Sequence, residues 1–441
     1  MPAWSLPRSL ADLLACFQAC FTAPTFGTFT ALVGGFVAQP GLRTVTGMLS
    51  GARLAGRWHH ARAHRFFSAA RWQADQVGLV VLEMIVTRLL APAAPIHLVA
   101  DDSLFKRSGR KVFGAAWHYD AAAPGRKRTA WGNNWVVVGV LVGLPFVAHR
   151  QVCLPVGARL WQPRQPGRGK ADLACELVRL VCDRYPDRAV HLVGDAAYAG
   201  RTLRDLPAQV TVTTRLRADA ALYALPGHRR PGQRGRPRVK GDRLPELIVL
   251  AAMTSVAWQQ TRVRCYRQPR TKELHSLVCL WYAVFGAQPV RVVLVRPPGA
   301  PDGYQLAVVT TDLAASPAAV VERYADRWSV EVLFEEARQV AGVGQARNRT
   351  RRAVQRTVPF GLLCLSLAVV WYAAHGQPAA DVAAHRAHAP WYRTKHAVSL
   401  ADMLAALRRE LLTAQYQPGH LVPPTLQEIL QVQAAPPATA A

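Results

Sequence analysis

Two short segments of the chain echo one another. His97-Leu98-Val99-Ala100-Asp101 and His191-Leu192-Val193-Gly194-Asp195 each run apolar residues straight into an aspartate. In open α/β sheets, functional groups collect at the carboxyl ends of strands. Two adjacent strands of this kind would set two carboxylates a few ångströms apart. Such a pair is costly unless a cation stands between them, and a divalent metal does that. Either Asp alone reads as the start of a turn; the matched pair argues for a metal. A third carboxylate lies in a polar stripe, Tyr324, Arg327, Glu331, Glu335 and Arg338, spaced 3, 4, 4 and 3 apart. At roughly 100° per residue these fall on one face of a helix. Trp328, Val332, Leu333 and Phe334 are interleaved with them, so the helix is expected to be half buried. Two metal ions held by three carboxylates can activate a water and stabilise the leaving oxygen of an in-line phosphodiester attack.

These side chains need a scaffold, and the texture of the chain suggests one. Residues 1–92 read as helical, with Leu10, Leu13, Leu14 and Phe17 at helical spacing. Within them, a turn at Thr44 to Leu49 precedes a basic, His-rich stretch with Arg53, Arg57, His59, His60, Arg62, His64 and Arg65. That order suits a helix-turn-helix-like DNA-binding unit and equally suits an ordinary helical hairpin. Over 93–205 the period changes. Short apolar runs at Ile96–Ala100, Trp135–Val147 and Val190–Gly194, with a helical pattern at Ala171–Val181, predict an α/β sheet. Residues 206–303 read as a β-rich insertion, with strands at Val210–Thr214, Leu247–Ala252, Ser276–Val284 and Val290–Val295. It carries a Gly/Pro/Arg loop from Pro226 to Gly241. Over 304–375 a last strand, Tyr304–Thr310, leads into one long helix from Pro317 to Val340. Residues 376–441 read as a helical C-terminal region whose Ala/Pro-rich tail, after Gln433, is expected to be disordered.

Composition bounds the function. The chain has 441 residues, enough for two to four domains. Its 54 Lys+Arg against 27 Asp+Glu give a net charge of +27, which makes a polyanion the expected partner. A hydrophobic share of 51% excludes a disordered chain. The eight cysteines are scattered with no CxxC pair, so there is no zinc signature, and a reducing cytoplasm fits them. Leu13–Leu42 is broken by Pro24, Gln18 and several Gly and Thr, and Val358–Ala374 is short and follows an Arg-rich segment. Both are expected to be core helices, with no membrane span and no signal peptide. His59, His60, His64, His385 and His388 are read as surface or structural residues.

The spacing Tyr324-(2)-Arg327-(3)-Glu331-(6)-Arg338 resembles the Tyr-(2)-Arg-(3)-Glu-(6)-Lys signature of bacterial insertion-sequence DDE transposases. The segment from Tyr324 to Gln339 is similar to the third-acid helix of DDE superfamily endonucleases. Asp101-Asp102-Ser103, with Lys106 and Gly109, resembles their first-acid motif, Asp-x-Ser/Thr. Asp195-Ala196-Ala197-Tyr198 resembles the second. The likeness covers residues 45–410, including Trp131-Gly132-Asn133-Asn134-Trp135 and Pro390-Trp391-Tyr392.

The resemblance implies an RNase H-like core, a mixed sheet with flanking helices, interrupted by the β-rich insertion. It implies two ions of Mg²⁺ or Mn²⁺ held by Asp101, Asp195 and Glu331 as catalytic residues. It also implies cut-and-paste movement of a DNA element between terminal inverted repeats, carried out by a homodimer in a synaptic complex. Tyr324 and Arg327 would contact DNA near the cut. Arg338 stands where the family has Lys, which keeps the charge but changes the geometry. Asp102 is the alternative first acid; the x of Asp-x-Ser favours Asp101. Double-stranded DNA would be held by Arg338, Arg347, Arg349, Arg351, Arg352 and Arg356, through sequence-independent phosphate contacts. The loop core Arg234-Gly235-Arg236-Pro237, with Arg229, Arg230, Arg238 and Lys240 around it, resembles an AT-hook for the minor groove. The insertion's position between the second and third acids suggests a hairpin intermediate, as in relatives with a similar insertion. Two other functions stay open on the sequence: a metal-dependent nuclease without strand transfer, and a non-catalytic DNA-binding repressor of element ends.

Overall fold

The computed structural model describes residues 6–416 except 121–122, 124–127, 148–149, 164, 166–167, 228–234, 254, 266–267 and 301–302. The chain opens with five helices: α1 (Arg8–Ala15), α2 (Ala23–Ala38), α3 (Val45–Gly51), α4 (Ala61–Ser68) and α5 (Ala74–Leu89). α3 starts where the Thr44 hydroxyl accepts from the Gly47 amide at 2.9 Å, a side-chain N-cap. α2 is apolar over nearly its whole length and largely buried.

The sheet follows: β1 (Ile96–Lys106), β2 (Ala116–Tyr119), β3 (Thr129–Gly143) and β4 (Gln151–Trp161), then α6 (Lys170–Arg184), β5 (Val190–Gly194) and β6 (Val210–Arg215). β4, β3 and β1 form an antiparallel meander, and β5 and β6 lie parallel beyond β1. The order β4-β3-β1-β5-β6 is the expected RNase H-like arrangement, a mixed sheet with flanking helices. β2 is a short extra strand on β3.

Next come α7 (Leu247–Ala252), β7 (Gln259–Cys265), β8 (Gln268–Leu280), α8 (Tyr282–Phe285), β9 (Pro289–Arg296) and β10 (Leu306–Thr310). β10 pairs antiparallel with both β6 and β9, so the strands between the second and third acids extend the core sheet as β10-β9-β8-β7. The remainder is helical: α9 (Pro317–Asp326), α10 (Ser329–Gln339), α11 (Arg351–His375), α12 (Pro378–His388) and α13 (Leu400–Tyr416).

Several sequence expectations change, the end of Ser276–Val284 among them, where Tyr282–Phe285 is a short helix. The strand carrying the first acid does not end at Ala100 but runs to Lys106, because Ser103 and Phe105 are buried alternately on one face. Val210–Thr214, read as the insertion's first strand, belongs to β6, the outer parallel strand of the core. Leu247–Ala252 is a helix, since Leu247, Leu250 and Ala251 are buried while Ile248 and Val249 are 54% and 52% exposed. That is a 3.6-residue period, which an all-apolar run conceals. The long helix from Pro317 is two helices. Amide bonds from Arg327 to the Tyr324 carbonyl and from Val330 to that of Arg327 tighten the junction into a 3₁₀-like turn that re-aims the chain.

α11 is long and apolar enough to cross a membrane by length and composition, but most of its apolar stretch is buried inside the protein. It packs among the N-terminal helices, β4 and α13. The Phe360 ring on α11 meets Phe29, Phe36, Phe66 and Phe67 at 6.2, 6.3, 6.0 and 5.3 Å, all edge-on. One continuous core thus runs from α1 through the sheet to α13, with a smaller cluster under α9.

Candidate active site

β1 and β5 run parallel with Ala100 opposite Gly194, so Asp101 and Asp195 follow side by side. β5 ends at Gly194. Asp195 begins a single 3₁₀ turn, its Oδ1 accepting from the Ala197 amide at 3.0 Å. The Thr214 hydroxyl donates to its carbonyl at 3.0 Å. The third carboxylate arrives on α10. α9 starts on the Ser316 cap with Pro317 at its first position, and the junction then turns α10 toward β1 and β4. α10 ends before Gly342, whose φ of +60° is the left-handed conformation that glycine supplies after a helix.

Arg327 joins the pieces. Its guanidinium donates to Asp101 Oδ2 at 2.8 Å and to Glu331 Oε1 at 2.8 Å, with the arginine side chain only 13% exposed. Asp101 Oδ1 accepts from the Asp102 amide at 2.8 Å. Burial pushes the Asp101 carboxyl up to about 6; Arg327 and that amide pull it down, and the charges of Asp102 and Asp195 add to the rise. Tyr324 lies beside the same arginine, 5.7 Å from ring centre to guanidinium carbon. Burial raises its phenol, against the pull of Arg327 and with the help of Asp195.

Asp102 points to the opposite face of β1 and has its own partners. Its Oδ2 accepts from Lys170 Nζ at 2.7 Å and Asn134 Nδ2 at 2.9 Å, and its Oδ1 from the Tyr198 hydroxyl at 3.2 Å. Sequence reasoning missed Lys170 and met Asn134 only within the Trp131 to Trp135 likeness, with no role. The polar pair Asn133-Asn134 inside the Val-rich strand was the available signal; Lys170 comes from a different element and left none.

The donor set of Asp101, Asp195 and Glu331 is all carboxylate oxygen, which suits a hard divalent cation. Among the described residues, no three His, Cys, Asp or Glu side chains converge closely enough to hold an ion as they stand. Between Asp101 and Glu331 the positive charge is the Arg327 guanidinium.

Beside Glu331 opens a cleft of about 1270 Å³, lined among others by Ser103, Lys106, Trp328, Glu335, Arg338, Arg347 and Arg349. Arg338 reaches across it to the Ser103 hydroxyl, tying the third-acid helix to the first-acid motif. Arg347 and Arg349 are exposed. Arg351 and Arg352 are also exposed and start α11 with no acidic residue in its first turn. Positive side chains at a helix N-terminus oppose the helix dipole, so the cluster is a local concentration of positive potential. Arg352 also donates to the Ala69 carbonyl at 3.4 Å. Arg356 does not belong to this surface: it is buried, and its guanidinium donates to the carbonyls of Phe67, Ala70 and Trp72. Arg236 of the basic loop is exposed, whereas Arg229, Arg230 and Arg234 lie outside the described residues. A second, smaller cleft of about 610 Å³ flanks Asp195, with Arg215, Arg217 and Tyr304 in its walls.

Among the described residues, no histidine joins Asp101, Asp195 and Glu331 in a metal-holding cluster. At the start of α4, the His60 ring meets His59 at 4.3 Å and the edge of His64 at 6.0 Å, and His385 pairs with buried Asp402 at 2.7 Å. The echo also aligns His97 with His191, rings 4.9 Å apart. Burial lowers both, with Arg323 assisting, and takes His191 to about 4. All eight cysteines are free, six of them buried.

No curated protein matches the chain. Among solved structures, a cryo-EM piggyBac transposase synaptic complex with hairpin DNA is similar at 11% identity and a TM-score of 0.44, covering 98% of this chain and 81% of that one. The family model described as DDE superfamily endonuclease matches residues 16–271, which takes in Asp101 and Asp195 and stops short of Glu331. With more than half its length matched, the chain belongs to the DDE superfamily endonucleases.

Proposed function

We propose that this protein is the DNA transposase of a bacterial insertion sequence, of the Tyr-(2)-Arg-(3)-Glu-(6)-Lys type. It cuts DNA at terminal inverted repeats and transfers the freed strand into a target. The observation that carries this reading is the bridge of Arg327 between Asp101 and Glu331, beside Asp195. Carboxylates drawn from β1 and α10 thereby share one buried positive charge, and Asp195 follows β5 in register beside Asp101.

Asp101, Asp195 and Glu331 would hold Mg²⁺ or Mn²⁺, two ions in the full reading, with Asp102 excluded because Lys170 neutralises it and Asn134 and Tyr198 donate to it on the other face. The bound metal would supply Lewis acidity at the scissile phosphate and an activated water. For that, Arg327 must release at least one carboxylate; it and Tyr324 then face the DNA backbone near the cut. Arg338 holds Ser103 against α10 and keeps the third-acid helix in register with β1. Arg347, Arg349, Arg351 and Arg352 line the approach and bind phosphates without regard to sequence, and Arg236 extends that grip from the basic loop. Pairing two element ends requires a homodimer on DNA. The protein acts in the cytoplasm, at the nucleoid.

The test is cleavage of a duplex carrying the repeats that flank the gene, with Mg²⁺, by wild type and Glu331→Gln. The variant is expected to bind the duplex normally and to cut it more than about a hundredfold more slowly, as loss of a metal ligand implies. Binding without cutting by both proteins would replace this reading with that of a DNA-binding repressor. Cutting with no integration of the freed end would leave a nuclease.

A further inference from the structure

β2 and the start of β3 form a hairpin whose outer face is aromatic. Trp117 and Tyr119, two residues apart on one face of β2, are 66% and 69% exposed, while His118 between them is buried against Trp161. Opposite them on β3, Trp131 sits edge-on to Trp117 at 5.9 Å, its indole N–H held by the Gly109 carbonyl at 3.2 Å. An edge hairpin that turns its tryptophan and tyrosine outward gains nothing for the core, since burial is what stabilises such rings.

The surroundings say what the face meets. Tyr119 lines the same cleft as Glu331. Lys106 lines it too and neutralises Asp120, the acidic neighbour, at 2.9 Å. Lys111, next to the loop that fixes Trp131, and Arg128, flanking the strand opposite Tyr119, are both exposed. Flat aromatic faces with exposed cations on the flanking segments, one of the rings lining the cleft beside Glu331, match the chemistry of unpaired nucleotides: bases stack while phosphates meet the cations. Joining this face to a second copy of itself would bring two sets of like charges together, which disfavours a protein partner.

We propose that Trp117 and Tyr119 form a stacking platform for unpaired bases of the DNA end lying in the catalytic cleft. This rests on the transposase reading above, because it takes DNA as the occupant of that cleft. The platform holds the strand by its bases, a task distinct from the phosphate contacts of Arg347 to Arg352.

The experiment uses the full chain in EDTA, so that binding is read without cleavage. Fluorescence anisotropy follows a short labelled oligothymidine and a duplex of the same length. A Trp117→Ala/Tyr119→Ala variant is expected to bind the oligothymidine about tenfold more weakly. The slope of log affinity against log salt should not change, because no ionic contact is lost. Lys111→Ala should instead reduce that slope. Trp117→Phe/Tyr119→Phe should restore affinity and so separates stacking from misfolding. Wild-type affinity in the alanine variant would overturn the platform while leaving the functional reading intact. A dimer-to-monomer change in sedimentation of that variant, with oligothymidine affinity unchanged, would overturn it in favour of contact between copies. Failure of the wild type to bind either DNA would overturn both.

Discussion

Arg327 is held by two carboxylates, and that arrangement makes a testable statement about protons. With the folded value of Asp101 near 6 and its ordinary value 3.8, folding favours the neutral acid. The sign follows: this residue's contribution to stability is complete below about pH 4 and is lost as pH rises through about 6. In chelator, Asp101→Asn should therefore gain stability relative to wild type across that window and hold the gain above it. The difference is of order 1–3 kcal/mol, measurable by urea unfolding at pH 4.5 and pH 7.5. At this scale the types and spacing of Asp101, Asp195 and Glu331 were legible in the chain. The sharing of one arginine was not, since Arg327 and Asp101 meet only after a sheet and two helices have formed. Nor were the partners of Asp102, which come from β3, α6 and the turn after β5.

Strand neighbours set the behaviour of the histidine echo. His97 and His191 are in register on parallel strands and near Arg323, so protonation there adds charge to a confined positive site. For His191, with a folded value near 4 against an ordinary 6.5, stability is present above pH 6.5 and is lost as pH falls toward 4. His191→Gln should blunt that acid sensitivity by roughly 1–2 kcal/mol, seen as a smaller drop in melting temperature between pH 7 and pH 4.5. The repeated His-x-x-x-Asp pattern did foretell adjacent strands, because matched apolar runs ending in the same polar group belong in one register. Element boundaries were harder to read. A continuous apolar run such as Leu247–Ala252 carries no visible period until burial separates its faces. The break between α9 and α10 has no Pro or Gly to mark it.

Across the whole molecule, the 54 basic residues overstate the surface field. Arg43 and Arg408 spend their guanidinium groups on main-chain carbonyls of the helical core, as Arg356 does. The charge surplus points toward a polyanion, but only coordinates tell which arginines remain available to one. Phe360 stands where α2, α4 and α11 meet, so truncating it leaves a cavity that three helices border. Phe360→Ala should cost about 3–5 kcal/mol. Because the core is continuous, equilibrium unfolding should remain a single transition at lower denaturant, with no separate early loss of the N-terminal helices. The junction at Arg327 and Trp328 has a mechanical meaning as well. α9 rests on β7, β10 and β6, toward one end of the sheet, while α10 rests on β1 and β4, toward the other. The junction is thus a fulcrum: a partner that tilts the strands under α9 would pull on the side chain that clasps Asp101 and Glu331, and so part or close those two carboxylates from a distance.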